Sequence, residues 1–120
     1  MKINIKYSNL DSTLAIEEYI NQKIGALEKF VEALDKKGAV KARVEIARTT
    51  KHHQKGEVYH AECNLELPGK LLRAEAENWD IRLAIDEIRD ILALEIKQYS
   101  EKFRPQDGRG QEKLRNLRGK

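Results

Sequence analysis

The chain has 120 residues, room for one domain with a real core but not for two, and it is 40% hydrophobic and 36% charged, like a heavily solvated globular protein. No apolar run approaches the roughly 18–20 residues that span a bilayer, and the single cysteine, Cys63, excludes an internal disulfide and fits a reducing cytoplasm. The net charge of +3 is segregated: residues 104–120 carry Arg104, Arg109, Lys113, Arg115, Arg118 and Lys120 against Asp107 and Glu112, leaving the first 103 residues at −1.

The opening MKINIKYSNL lacks the apolar stretch of a signal peptide and alternates, with Ile3, Ile5 and Tyr7 on one face of a strand over 2–7. Asp11 or Ser12 then offers an N-cap for a helix whose stripe is Ile16, Ile20, Ile24, Leu27, Val31 and Leu34. Gly25 weakens that helix by about 1 kcal/mol without breaking it, and Lys36, Lys37 and Gly38 suit its C-terminus. Residues 40–48 alternate again, with Val40, Ala42, Val44 and Ile46 inward and Lys41, Arg43 and Glu45 outward. After the polar connection TTKHHQKGE comes a third strand with Tyr59, Ala61, Cys63, Leu65 and Leu67 inward. Pro68-Gly69 suits a type II turn into a fourth strand with Leu72, Ala74 and Ala76 inward.

The longest helical pattern runs from Trp79 to Phe103. Asn78 is its predicted cap, Asp80 suits the positive end of its dipole, and Pro105 stops it. Its stripe is Ile81, Ile85, Ile88, Leu92, Ile96, Tyr99 and Phe103. The order βαβββα predicts an α+β two-layer sandwich: a four-stranded mixed sheet with two helices on one face and a wet opposite face. Residues 1–103 form the domain. Residues 104–120, with three glycines, a proline and two leucines, are expected to be a basic disordered tail.

Catalytic and metal chemistry finds little support. His60 and Cys63 point to opposite faces of one strand, and His52 with His53 falls short of the three or four ligands zinc needs, so no metal site is expected. An inward Cys63 is inert, no serine sits in a nucleophile elbow, and the glycines form no phosphate loop. The chain is read as a non-enzyme with no cofactor and no small-molecule substrate. Basic residues remain: Lys41, Arg43, Lys51 and Lys55 around the second strand, and Arg82, Arg89, Lys97 and Arg104 along one flank of the last helix. Asp86 and Asp90 interrupt that flank, so it reads either as i,i+4 salt-bridge lacing or as a phosphate-contacting ridge.

Met1-Lys2-Ile3-Asn4-Ile5, then Lys23 followed by Leu27-Glu28-Lys29, then Asp80-Ile81 with Ala84-Ile85-Asp86 resemble the ribosome hibernation promoting factor family, which includes the ribosome-associated inhibitor A and protein Y members. The resemblance covers about residues 1–103. It implies a fold related in outline to double-stranded RNA-binding domains, and a stress-response, cytoplasmic translation silencer. Such a protein would bind small-subunit rRNA and fill the channel of mRNA and the A- and P-site tRNAs by steric block, without chemistry. It also implies a short, monomeric form without the dimerising second domain of longer members. The residues assigned to rRNA are Lys23, Lys29, Lys41, Arg43, Lys51, Lys55, Arg82, Arg89, Lys97, Lys102 and Arg104.

Arg82 stands where the family has an aromatic, and Ile91, Leu94, Gln98 and Ala26 stand where basic residues are usual. Either the flank of Arg82, Arg89, Lys97 and Arg104 takes over the contacts, or binding is weaker. Leu83 and Leu94, with Ile91 at the stripe's edge, leave apolar surface that fits a protein–protein adaptor. A general double-stranded RNA-binding module is the third alternative.

Overall fold

The computed structural model describes residues 1–32, 34–35, 39–49 and 58–103. The elements are β1 (Lys2–Ser8), α1 (Leu14–Gly25), α2 (Glu28–Val31), β2 (Lys41–Thr49), β3 (Val58–Leu67), β4 (Lys70–Asn78) and α3 (Ile81–Phe103). The strands lie in the order β1-β2-β3-β4, with β1 parallel to β2 and the other two pairs antiparallel. This is the predicted α+β sandwich with its mixed sheet. The helix closure at residues 36–38, the connection over residues 50–57 and the tail from 104 lie outside the described residues.

Period-two alternation sends Ala42, Val44 and Ile46 of β2, Ala61, Cys63, Leu65 and Leu67 of β3, and Leu72 and Ala74 of β4 into one core, with Val40 just before β2. The helices supply the other layer. Ile20, Ile24, Leu27 and Val31 meet Ala84, Ile85, Ile88, Leu92 and Ile96 there, all buried. Each large aliphatic side chain removed from water contributes about 1.5–3 kcal/mol, so the two stripes are what hold the layers together.

Three local expectations are corrected. The first predicted helix is two segments rather than one. Around the junction the Leu27 amide bonds Ile24 O at 3.0 Å and the Phe30 amide bonds Leu27 O at 2.9 Å, both i to i−3. Ala26 and Leu27 keep right-handed helical angles, so the stripe crosses the junction unbroken. The N-cap of α1 is Thr13, not Asp11 or Ser12; its Oγ1 accepts from the Ile16 amide at 3.1 Å. The cap of α3 is Asp80, whose Oδ1 accepts from the Arg82 amide at 2.9 Å. Asn78 still belongs to β4 and accepts from the Asp80 amide at 2.9 Å, which turns the chain into the helix and leaves Trp79 outside it.

The turn after β3 is as predicted, with Gly69 at φ 78°, a conformation that glycine adopts without steric cost. At the other edge the Met1 ammonium pairs with Asp35 and, at 3.1 Å, with Glu28, while Asp35 Oδ1 accepts from the Val40 amide at 3.0 Å. These bonds tie α2 and the segment after it to the start of β1. They raise the amine's pKa and lower that of Asp35, in each case chiefly through their mutual hydrogen bond.

Register fixes the wet face of the sheet in rows. Lys2, Lys41, Glu66 and Leu71 stand side by side, then Asn4, Arg43, Asn64 and Arg73, then Lys6, Glu45, Glu62 and Glu75, and then Ser8, Ala47, His60 and Glu77.

Candidate nucleic-acid interface

The helix layer gathers cations around one aromatic ring. Tyr19 and Lys23 lie one turn apart on α1, and the Lys23 Nζ sits 5.4 Å from the Tyr19 ring centroid. From α3, the Arg82 guanidinium carbon reaches the same ring at 5.4 Å. Both distances are within cation–π range, so one ring lies within reach of two positive groups from two helices. Asp86, one turn beyond Arg82, accepts the Tyr19 hydroxyl at 2.6 Å and fixes the ring. That hydrogen bond, followed by burial, raises the phenol's pKa, while Arg82 and Arg89 oppose the rise.

The aspartates on α3 do not lace the helix by i,i+4 pairs. Asp86 is engaged by Tyr19, and Asp90 accepts from its neighbour Arg89 through Nε at 2.9 Å and Nη2 at 2.8 Å. Lys97 is exposed further along α3, and Lys29 on α2 lies over Phe30 at 5.2 Å. Neither forms an ion pair with another described residue.

Lys41 and Arg43 lie on the opposite side of the molecule. They stand on the wet face of β2, where Lys41 neighbours Lys2 of β1 and Arg43 pairs with Glu66 at 2.8 Å. The residues assigned from sequence therefore split between two faces: Lys23, Lys29, Arg82, Arg89 and Lys97 on the helix layer, Lys41 and Arg43 on the sheet. Lys51, Lys55 and Arg104 lie outside the described residues, as does the side chain of Lys102.

Sequence reasoning passed over three features of these surfaces. Tyr19 lies off the α1 stripe and carries no local signal, because its role depends on Arg82 and Asp86 from a helix far along the chain. Lys2 adds to the basic corner at Lys41. Trp79, 68% exposed beside the cap of α3, is a large aromatic surface open to solvent. Leu83 (48%) and Leu94 (56%) are exposed on the outer side of α3, as their positions off the stripe predict, and Ile91 at the stripe's edge is 37% exposed. No described helix is long and apolar enough to cross a membrane.

A family model described as sigma 54 modulation protein / S30EA ribosomal protein matches residues 3–104. The ribosome hibernation promoting factor of Klebsiella oxytoca is 26% identical over 104 residues, covering 87% of this chain and 98% of that protein. Its Pseudomonas putida counterpart is 29% identical over 102 residues, covering 85% of this chain and 89% of that protein. The ribosome hibernation promotion factor of Deinococcus radiodurans is 24% identical over 103 residues, which make up 85% of this chain; the chain spans about half (50%) of that relative's length. Among solved structures, the crystal structure of the Thermus thermophilus Protein Y N-terminal domain superposes with a TM-score of 0.67 at 29% identity, over 82% of this chain and 99% of that one. A ribosomal subunit interface protein from Coxiella burnetii shares the fold at a TM-score of 0.67 and 17% identity, over 84% of this chain and 99% of that one.

Proposed function

Because the chain belongs to the sigma 54 modulation protein / S30EA ribosomal protein family, we propose that it is a ribosome-binding translation silencer that docks through its helix layer. The observation that carries this reading is the convergence of Lys23 and Arg82 on the Tyr19 ring. Two cations that adjoining helices bring to one aromatic ring suit the phosphates of folded RNA. Such contacts position the protein without reading sequence, because phosphate oxygens carry no base information. In this reading the body of the domain occupies the decoding and tRNA channel of the small subunit in the cytoplasm. It acts there as a monomer, and translation stops by exclusion rather than by a reaction. The basic segment 104–120 adds phosphate contacts to the domain formed by residues 1–103.

Sedimentation of the protein with ribosomes through sucrose gradients at low and high salt tests this. Migration with the small subunit or the whole ribosome at low salt and release at high salt is the expected result. A protein that stays at the top of the low-salt gradient does not act this way. The exposure of Leu83, Ile91 and Leu94 favours a second reading, an adaptor that captures a protein partner through the outer side of α3. Polar substitution of the three then abolishes partner capture and leaves ribosome sedimentation unchanged. A general duplex-RNA module would instead bind any long RNA helix with comparable affinity.

A further inference from the structure

We propose that the wet face of the sheet carries a divalent transition-metal site formed by His60, Glu62 and Glu75, remote from the helix layer. His60 Nε2 stands 3.5 Å from Glu62 Oε1 and 3.5 Å from Glu75 Oε1, and all three donor atoms lie within 4.8 Å of one another. These separations are long for hydrogen bonds. They suit a shared ion: metal–ligand bonds of about 2.0–2.2 Å at tetrahedral angles set neighbouring ligand atoms roughly 3.3–3.6 Å apart. One imidazole with two carboxylates is a donor set for zinc or a similar first-row ion, and the solvent side leaves a position for water.

The surroundings fit the same assignment. His60 Nδ1 is 3.5 Å from Glu77 Oε2, which puts a carboxylate beside the other ring nitrogen, where it would orient a ligating imidazole on closing to hydrogen-bond distance. His60 is only 22% exposed, so its ring is braced by the sheet. Register sets Glu45, Glu62 and Glu75 directly abreast on three neighbouring strands, and like charges in that relation repel. Glu45 accepts from Ser8 Oγ at 2.8 Å. The other two share one guanidinium, with Arg73 Nη2 at 3.3 Å from Glu62 Oε1 and 3.1 Å from Glu75 Oε2. Arg73 is therefore a competing cation. A bound ion would take the Glu62 and Glu75 oxygens that face His60, leave Arg73 on the far oxygen of Glu75, and clamp β3 to β4.

Titration of the full chain with Zn2+ alone, read by calorimetry, tests the assignment, with Mg2+ as the oxygen-preferring control. The expected result is one Zn2+ per chain and no comparable Mg2+ uptake. His60→Gln and Glu75→Gln should each weaken Zn2+ binding by more than the roughly tenfold loss that an outer change such as Glu77→Gln brings. Arg73→Gln should tighten it. Both ligand variants lie on the solvent side of the sheet, and far-ultraviolet circular dichroism checks that they fold. Replacing His52 and His53 together by Gln should leave the titration unchanged. Absence of Zn2+ uptake, uptake insensitive to His60→Gln, loss with the His52/His53 pair, or failure of Arg73→Gln to tighten binding would overturn the proposal.

Discussion

Tyr19 shows how much one side chain can organise when it lies between two helices. Its hydroxyl donates to Asp86 and its ring sits beneath Lys23 and Arg82. Tyr19→Phe keeps the ring and removes only the hydroxyl, leaving the Asp86 carboxylate without that donor. In this partly solvated place a loss of about 1 kcal/mol in urea unfolding is expected, because solvent screens the carboxylate. The same hydrogen bond has an alkaline signature. A phenol whose folded pKa is raised adds stability below its ordinary value of 10.0 and loses it as the pH climbs through the folded value. Burial pushes the Cys63 thiol in the same direction, from 9.0 to about 12, and the Met1 amine is raised from 8.0. Melting temperatures followed across pH 8 to 12 should therefore fall progressively. Cys63 should resist thiol reagents in the native state and react once the chain is unfolded. That Cys63 would be buried was legible from its place on an alternating strand. That Tyr19 would tie α1 to α3 was not, because a contact between distant helices leaves no mark in local spacing.

The helices divide the sequence signal in an instructive way. Spacing located both apolar stripes: Ile20, Ile24, Leu27, Val31, Ile85, Ile88, Leu92 and Ile96 are buried and Ile16, Leu34, Ile81 and Tyr99 half-buried, because helical period is a direct consequence of 3.6 residues per turn. It did not locate the interruption between α1 and α2, where the backbone angles stay helical and only the hydrogen bonds change from i−4 to i−3. Gly25 is not forced there by crowding: an added Cβ would meet Ile3 Cδ1 at an ordinary 3.9 Å. Gly25→Ala should raise stability by about 0.5–1 kcal/mol in chemical denaturation, mainly by restricting the unfolded chain. Capping residues were misplaced by one or two positions at both helix starts, since Asp, Ser, Thr and Asn all satisfy the same rule and only the path of the backbone chooses among them. At α3 the choice is Asp80. Asp80→Ala should lower stability by about 1 kcal/mol, and Asn78→Ala should cost less, because Asn78 serves the turn and not the first helical amides. A melting series in which Asn78→Ala is the more damaging change would return the cap to its predicted place.

At the scale of the molecule the proposed function turns on which face would meet the ribosome. Alternation along β2 told that Lys41 and Arg43 oppose Val44, but not that the basic residues of the helices would gather on the other side. The positive charge read as one site thus belongs to two surfaces facing apart. A rigid two-layer domain lying flat on RNA presents one of them, and the cross-strand glutamates make the sheet face the poorer choice. Glu45, Glu62 and Glu75 stand beside Arg43 and Arg73, and Arg43 is already paired with Glu66. Lys23 and Arg82 form no ion pair with another described residue, so fewer existing interactions compete with a phosphate. Binding to ribosomes measured at several salt concentrations separates the faces, since each lost phosphate contact flattens the dependence of log affinity on log salt by about 0.7–0.9. The double change Lys23→Gln/Arg82→Gln should therefore flatten the slope by about 1.5 and weaken binding at low salt. Lys41→Gln/Arg43→Gln should leave the slope within error of the parent. The reverse pattern would move the docking surface to the sheet, and a flattening shared equally by both would mean that the RNA wraps around the domain instead of lying against its helices.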